Sequence, residues 1–233
     1  MSKKPEHLHE PRNIVYDAGH WQLLSKLRKR SEVILEKLVK DGIRALLYGS
    51  LARGDISSTS DIDVIIPYPL SSYKIELILG QGLKRELVQA TPSMVLKGHI
   101  YLEHDVTVTF PLFKLRPREE EFYRWGGQIT LEQIRVDTRV PGVDKRLILI
   151  EPTPTGHIER GVIGYEPEIA RIVGVDIGLA KERVRVLTRR DEVGRTGVYL
   201  TRPLSPDESF EEVAKLLRDG DPALRRTMDK RKR

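Results

Sequence analysis

A mixed α/β (α+β) fold, a sheet flanked by helices with a small winged helix-turn-helix-like domain behind it, is predicted by three observations. Apolar, β-branched runs at residues 43–48, 61–66 and 101–110 have the length and composition of strands. A long stretch from about Asp17 to Lys40 sets Trp21, Leu24, Leu27, Val33, Leu35 and Leu38 at helical spacing. Beyond a turn-rich segment at residues 151–156, two short helical patterns meet at a glycine and carry basic residues along one side.

Residues 1–13 form a polar leader ahead of the first helix. The strand at 43–48 ends at Gly49-Ser50, where a short helical segment begins, and the second strand at 61–66 stops at Pro67-Tyr68-Pro69. Ser71-Ser72 caps a predicted helix to about Gln89, interrupted by Gly80 and Gly82 and closed by Thr91-Pro92. Two strands are expected to pair across Lys97-Gly98, the second carrying Asp105. Pro117 followed by Glu119, Glu120 and Glu121 suits a helix start, where the dipole favours acids. A further strand at 146–150 leads into Pro152, Pro154 and Gly156, the candidate boundary. The expected domains are 1–150, 151–205 and a helical basic tail at 206–233, with no internal repeat.

Residues 48–66 carry the chemistry. Backbone N–H groups at a helix start favour an anion, Gly49 lets the main chain approach a phosphate, and the Ser50 hydroxyl adds a donor. Ten residues separate Ser50 from Asp61-Ile62-Asp63, which opens an apolar run. In a strand Asp61 and Asp63 project together while Ile62 and Val64 face the other way. Two carboxylates about 5 Å apart at an effective dielectric of about 20 repel by roughly 3 kcal/mol, and a divalent cation removes that cost. Hard oxygen donors beside a phosphate cradle suit Mg²⁺ or Mn²⁺.

The run from Gly49 to Gly54 (Gly-Ser-x-Ala-Arg-Gly) and the run from Ser60 to Asp63 (Ser-Asp-Ile-Asp) resemble the nucleotidyltransferase superfamily typified by DNA polymerase beta, most closely its minimal members. The whole chain is also similar to a group of predicted archaeal nucleotidyltransferases of comparable length. This resemblance implies metal-dependent transfer of a nucleoside monophosphate from an NTP such as ATP to a hydroxyl, with pyrophosphate leaving. It implies that Gly49 and Ser50 hold the triphosphate, with Arg53 either reaching a phosphate or serving as an exposed ion-pair partner. It makes Asp61 and Asp63 metal ligands, and asks for a third carboxylate on a neighbouring strand. Alternation over 101–110 puts Glu103, Asp105, Thr107 and Thr109 on one face. Asp105, flanked by β-branched residues, is the first choice and Glu103 the fallback.

Composition suits a soluble enzyme. Of 233 residues, 32% are charged and cysteine is absent, which excludes disulfides and thiolate metal sites and leans toward a thermophile. No apolar run is long enough for a membrane span and no signal peptide is visible, so a cytoplasmic location is expected. Lys plus Arg exceeds Asp plus Glu by 40 − 34 = 6, a balance suited to RNA or DNA. Basic clusters occur at residues 25–30 and 224–233, though such runs are usually solvated faces.

In the carboxy-terminal region, residues 167–173 read as a short helix ending at Gly174, and Asp176 caps a second helix to about Arg190. Ile177, Ala180, Val184 and Leu187 are expected inward, while Gly178, Lys181, Arg185 and Arg189 share an outward basic stripe. Residues 191–200, with Gly194-Arg195-Thr196-Gly197, read as a hairpin wing in which Arg195 joins Lys181, Arg185 and Arg189 as a nucleic-acid contact. The alternative is a helical cap with its charges in water. His157 is a candidate substrate contact that reads first as an incidental loop residue, and no His pair has metal-ligand spacing. A second function from another class is a non-catalytic nucleic-acid-binding protein built on the same fold. Acceptor, NTP choice and oligomeric state are not encoded in these motifs.

Overall fold

The computed structural model describes residues 4–194 and 197–231. In chain order the elements are β1 (Arg12–Val15), α1 (Ala18–Lys40), β2 (Leu46–Tyr48), α2 (Ser50–Arg53), β3 (Ile62–Ile65), α3 (Ser72–Leu79), β4 (Lys84–Gln89), β5 (Lys97–Glu103) and β6 (Val106–Pro111). There follow α4 (Pro117–Trp125), β7 (Gln128–Ile129), α5 (Leu131–Arg135), β8 (Gly142–Val143), β9 (Ile148–Thr153), β10 (Gly156–Gly161), α6 (Glu166–Val173), α7 (Ile177–Val193), β11 (Leu200–Pro203), α8 (Phe210–Gly220) and α9 (Pro222–Asp229). They form two compact units that interleave along the chain: Met1–Glu32, Leu47–Ser60 and Glu120–Thr196 make the first, and Val33–Leu46, Asp61–Glu119 and Gly197–Arg233 the second.

The first unit contains an antiparallel sheet in the order β1-β10-β9-β8. The turn-rich segment expected as a domain boundary is therefore the tip of the β9–β10 hairpin, where Gly156 opposes Thr153. Gly156 has to be glycine, because a Cβ there would lie 1.9 Å from the Ile14 carbonyl oxygen of β1. The end of the polar leader runs into β1, Arg12 to Val15, which is a strand of this sheet. The core joins Leu147, Leu149 and Val162 to Ile169, Ala170 and Val173 of α6 and Leu179 and Ala180 of α7. Gly174 turns the chain between these helices with φ 68°, and the Asp176 carboxylate accepts from the Gly178 N–H at 2.8 Å, as the sequence predicts. Leu179 takes the inward place expected of Ile177, which is exposed; Val184 and Leu187 pack partly against the core.

The second unit holds a mixed run of strands in the order β11-β4-β5-β6-β3, antiparallel except for the parallel β3–β6 pair. Ile62, Val64, Val108, Phe110, Ile100 and Leu87 are fully buried, and Phe110 meets Phe210 of α8 edge-on at 5.0 Å between centroids. Three expectations change here. The helix predicted to Gln89 ends at Leu79, because Gly80 and Gly82 adopt φ 80° and 68°, and Lys84–Gln89 pairs as a strand on both sides. The hairpin turns at His104-Asp105, not at Lys97-Gly98; Gly98 lies within β5, where a Cβ would strike the Phe110 ring at 2.4 Å. Finally, Leu200–Pro203 pairs with β4 instead of closing a wing.

Candidate active site

In the first unit, β2 delivers the chain to Gly49, which adopts φ 86° and opens the single helical turn α2. The Gly49 carbonyl accepts from the N–H groups of Ala52 and Arg53 at 3.1 and 3.2 Å, so the turn is closed on its own backbone. Its far end is held by Arg28 of α1, which is 3% exposed and donates to the carbonyl oxygens of Leu51 and Ala52. Burial lowers the Arg28 pKa to about 10, still charged at neutral pH. Arg28 therefore leaves the basic cluster expected at residues 25–30, and of its neighbours Lys26 and Lys29 are exposed.

Arg53 is likewise internal. Its guanidinium donates to both carboxylate oxygens of Asp55 at 2.9 and 3.0 Å and to the Gly126 carbonyl at 2.6 Å. This bidentate pair is nearly buried and braces the loop leaving the turn, so the exposed ion-pair alternative does not describe it. Gly127 admits the Arg53 stem, since a Cβ there would approach Arg53 Cγ at 2.8 Å. Ser50 Oγ lies 3.4 Å from Ser60 Oγ, which also accepts from the Ser57 N–H at 2.9 Å. The segment between turn and carboxylates is thus rich in hydroxyls, with Ser57, Thr59 and Ser60 interlinked.

In the second unit, Asp61 is exposed at the mouth of β3 and Asp63 is half-buried within it, alternating with fully buried Ile62 and Val64. Asp63 stands opposite Thr107 of β6 in the parallel register. Asp105 sits in the two-residue connection between β5 and β6 and not deep in a strand, since the ladder closes with Glu103 opposite Val106. Its carbonyl accepts from the Ile62 N–H at 2.7 Å, which brings its main chain beside the start of β3. Glu103, the fallback, is the last residue of β5 and is exposed.

One further row of side chains was not foreseen. The registers run Lys84, Tyr101, Thr107, Asp63 across four strands. The Tyr101 hydroxyl donates to Glu86 at 2.5 Å, Lys84 Nζ lies 2.5 Å from the other Glu86 oxygen, and His99 stacks beside Tyr101 at 6.2 Å. Burial, Glu86 and the charge of Asp63 push the Tyr101 hydroxyl above its usual pKa. Burial opposes ionised Glu86, but the bonds from Lys84 and Tyr101 outweigh it and hold its pKa below the usual range. Burial and the nearby Lys97 push His99 down to about 4. The row was hidden because its signal needs Lys84–Gln89 to be a strand.

Among the described residues, no three His, Asp or Glu side chains are gathered as a metal cage. Asp61 and Asp63 nonetheless fit a hard divalent cation as a half-site, since Mg²⁺ commonly takes one or two carboxylates and completes its shell with substrate phosphates and water. The carboxy-terminal stripe Lys181, Arg185 and Arg189 is exposed on α7 as expected, while Arg183 is drawn inward over the Phe122 ring at 4.9 Å. The first arm of the expected wing is absent: Asp191 to Val193 continue α7. Arg195 and Thr196 lie outside the described residues, as do Lys232 and Arg233 of the basic tail. Among the described residues no helix is long and apolar enough to cross a membrane.

A family model described as "Nucleotidyltransferase domain" matches residues 27–146, 120 of the 233 in the chain (146 − 27 + 1). No curated protein and no solved structure matches the chain. The matched segment spans the Gly49-Ser50 turn, Asp61, Asp63 and Asp105, and stops before the α6–α7 pair.

Proposed function

The chain belongs to the nucleotidyltransferase domain family, and from that premise we propose that it transfers a nucleoside monophosphate from an NTP to a hydroxyl acceptor with the aid of Mg²⁺ or Mn²⁺. The observation that carries the reading is the pairing of motif and local form. Gly49-Ser50 opens a helical turn at positive φ, and Asp61, just before β3, and Asp63, within it, flank buried Ile62. In this reading the Ser50 hydroxyl and the turn's backbone receive the triphosphate. Arg53 acts on the phosphates indirectly, by fixing the turn through Asp55 and Gly126. Asp61 and Asp63, with Asp105, hold the cation, which when bound neutralises the phosphates and lowers the pKa of the attacking hydroxyl. The acceptor oxygen bonds to the α-phosphorus, the α–β bridging bond breaks, and pyrophosphate leaves with the negative charge.

Incubation with α-labelled and γ-labelled NTPs, Mg²⁺ and a cell extract tests this directly. Label from the α position moves to a product while γ-label leaves as pyrophosphate. Transfer of γ-label instead makes the protein a kinase and ends the proposal. The exposed stripe Lys181, Arg185 and Arg189 on α7 supports, as a second element, contact with RNA or DNA phosphates.

A further inference from the structure

A cavity of about 290 Å³ beside β1 and β10 in the first unit, outside the motif, is lined by the buried Tyr16, His157 and Glu159. His157 is not a loop residue: it is 5% exposed within β10, between Ile14 of β1 and Pro152 of β9. Its Nδ1 is 2.6 Å from the Tyr16 hydroxyl. The Arg139 guanidinium lies 5.9 Å from the Tyr16 ring and has only donors to offer, so the Tyr16 hydroxyl proton has His157 Nδ1 as its acceptor. Burial keeps Tyr16 protonated and His157 neutral. The second ring nitrogen, Nε2, therefore carries the hydrogen. It is buried with no partner at hydrogen-bonding distance among the described residues; Glu159 Oε1, 3.7 Å away, acts on it as a neighbouring charge, as Asp55 does.

A donor and an acceptor thus lie side by side at the cavity wall, and a ligand that satisfies both needs an adjacent acceptor and donor of its own. That is the lactam or amidine edge of a nucleobase. The one guanidinium among the described lining residues, Arg146, already reaches Asp144, Glu159 and Glu6, so the wall offers an anion no unengaged guanidinium; Asp55 is held by Arg53, and Glu159 also by Arg12. Ile14 and Ile56 supply apolar surface. The cavity also adjoins the motif: Asp55 and Ile56 directly follow the Gly49–Gly54 turn, and His20 Nε2 donates to the Gly54 carbonyl at 2.7 Å.

We propose that this cavity is a nucleobase pocket in which His157 Nε2–H donates to a ring nitrogen or carbonyl of the base and Glu159 accepts from the neighbouring N–H. The assignment rests on the transferase reading only for the source of the base. Free nucleosides carry no phosphate, so their binding tests the pocket apart from the turn and the carboxylates.

The experiment titrates adenosine and uridine into full-length protein with ¹⁵N-labelled histidine rings. Both nucleosides are expected to shift the His157 Nε2 resonance. N6,N6-dimethyladenosine and 3-methyluridine, which lack the N–H, bind at least tenfold more weakly. His157→Leu, checked for unchanged secondary structure, loses binding at least tenfold; should it fail to fold, Tyr16→Phe, which frees the imidazole tautomer, is expected to weaken binding severalfold. Displacement of adenosine by ATP makes the pocket the donor's own base site, and simultaneous binding of both makes it a site for the acceptor's base. An unmoved His157 resonance at millimolar nucleoside, or methylated and parent nucleosides binding equally, overturns the proposal.

Discussion

Arg53 and Arg185 belong to the same unit, Arg185 expected to meet phosphates and Arg53 to reach a phosphate or sit in an exposed ion pair, yet their surroundings are opposite. Arg53 is 5% exposed and gives all three guanidinium nitrogens to protein acceptors, whereas Arg185 stands exposed on α7. A buried arginine without its partner leaves a carboxylate stranded in low dielectric, so the Arg53–Asp55 pair is a condition of the turn's shape. An exposed arginine carries no such obligation and remains available to a ligand. The difference teaches that a positive charge near a phosphate motif is as apt to build the site as to touch the substrate, and that burial distinguishes the two.

The contrast can be broken most forcefully by replacing each arginine. Arg53→Met is expected to destabilise the protein by about 3–5 kcal/mol in urea unfolding, because Asp55 is left buried and unpaired. Arg185→Met changes stability by no more than about 0.5 kcal/mol. Similar losses for the two variants would contradict the distinction between brace and ligand.

A second, smaller effect comes from pH. The folded-state pKa of His99, about 4, lies below its unfolded value near 6.5, so the unfolded chain binds the extra proton between these limits. The stabilisation is complete above about pH 6.5 and is lost as pH falls toward 4, by on the order of 1–3 kcal/mol. His99→Gln should flatten that part of the stability–pH curve; an unchanged slope would remove His99 from the account. Next, Ser50→Ala is expected to weaken NTP binding by about 1 kcal/mol or somewhat more by calorimetry, the scale of one hydrogen bond to a charged group, without altering the unfolding midpoint. Equal affinity would move the phosphate site elsewhere. The gentlest test concerns α7. If Lys181 and Arg185 contact phosphates, their replacement by Ala should make the log–log salt dependence of nucleic-acid binding shallower by up to about two units. A parent-like slope would leave the stripe as solvated surface.

The motif region was legible because its signals are local. Gly-Ser after an apolar strand and alternating carboxylates before another leave little freedom, and β2, α2 and β3 form where the residues predict them. Elsewhere tertiary pairing overrode local preference. Lys84 to Gln89 contains good helix formers, but two flanking strands recruit it into a sheet. Gly98 resembles a turn residue, and only the Phe110 ring over it explains the glycine. The α6–α7 pair was readable from Gly174 and Asp176, while the wing was not, since residues 191–193 simply extend α7. His157 looked incidental because its significance comes from Tyr16, 141 residues away in sequence.

The central claim is that Asp61 and Asp63, at the start of β3, support nucleotidyl transfer. It is tested most directly by following α-label from an NTP into the extract-derived product with the parent protein, Asp63→Asn and Asp61→Ala under Mg²⁺. Both changes remove a charge at the edge of the core without removing core volume, so the unfolding midpoint should stay near the parent's while labelling falls at least about a hundredfold, the scale of losing one preorganised charge-stabilising group. Labelling of the same product at the parent's rate by either variant would contradict the claim.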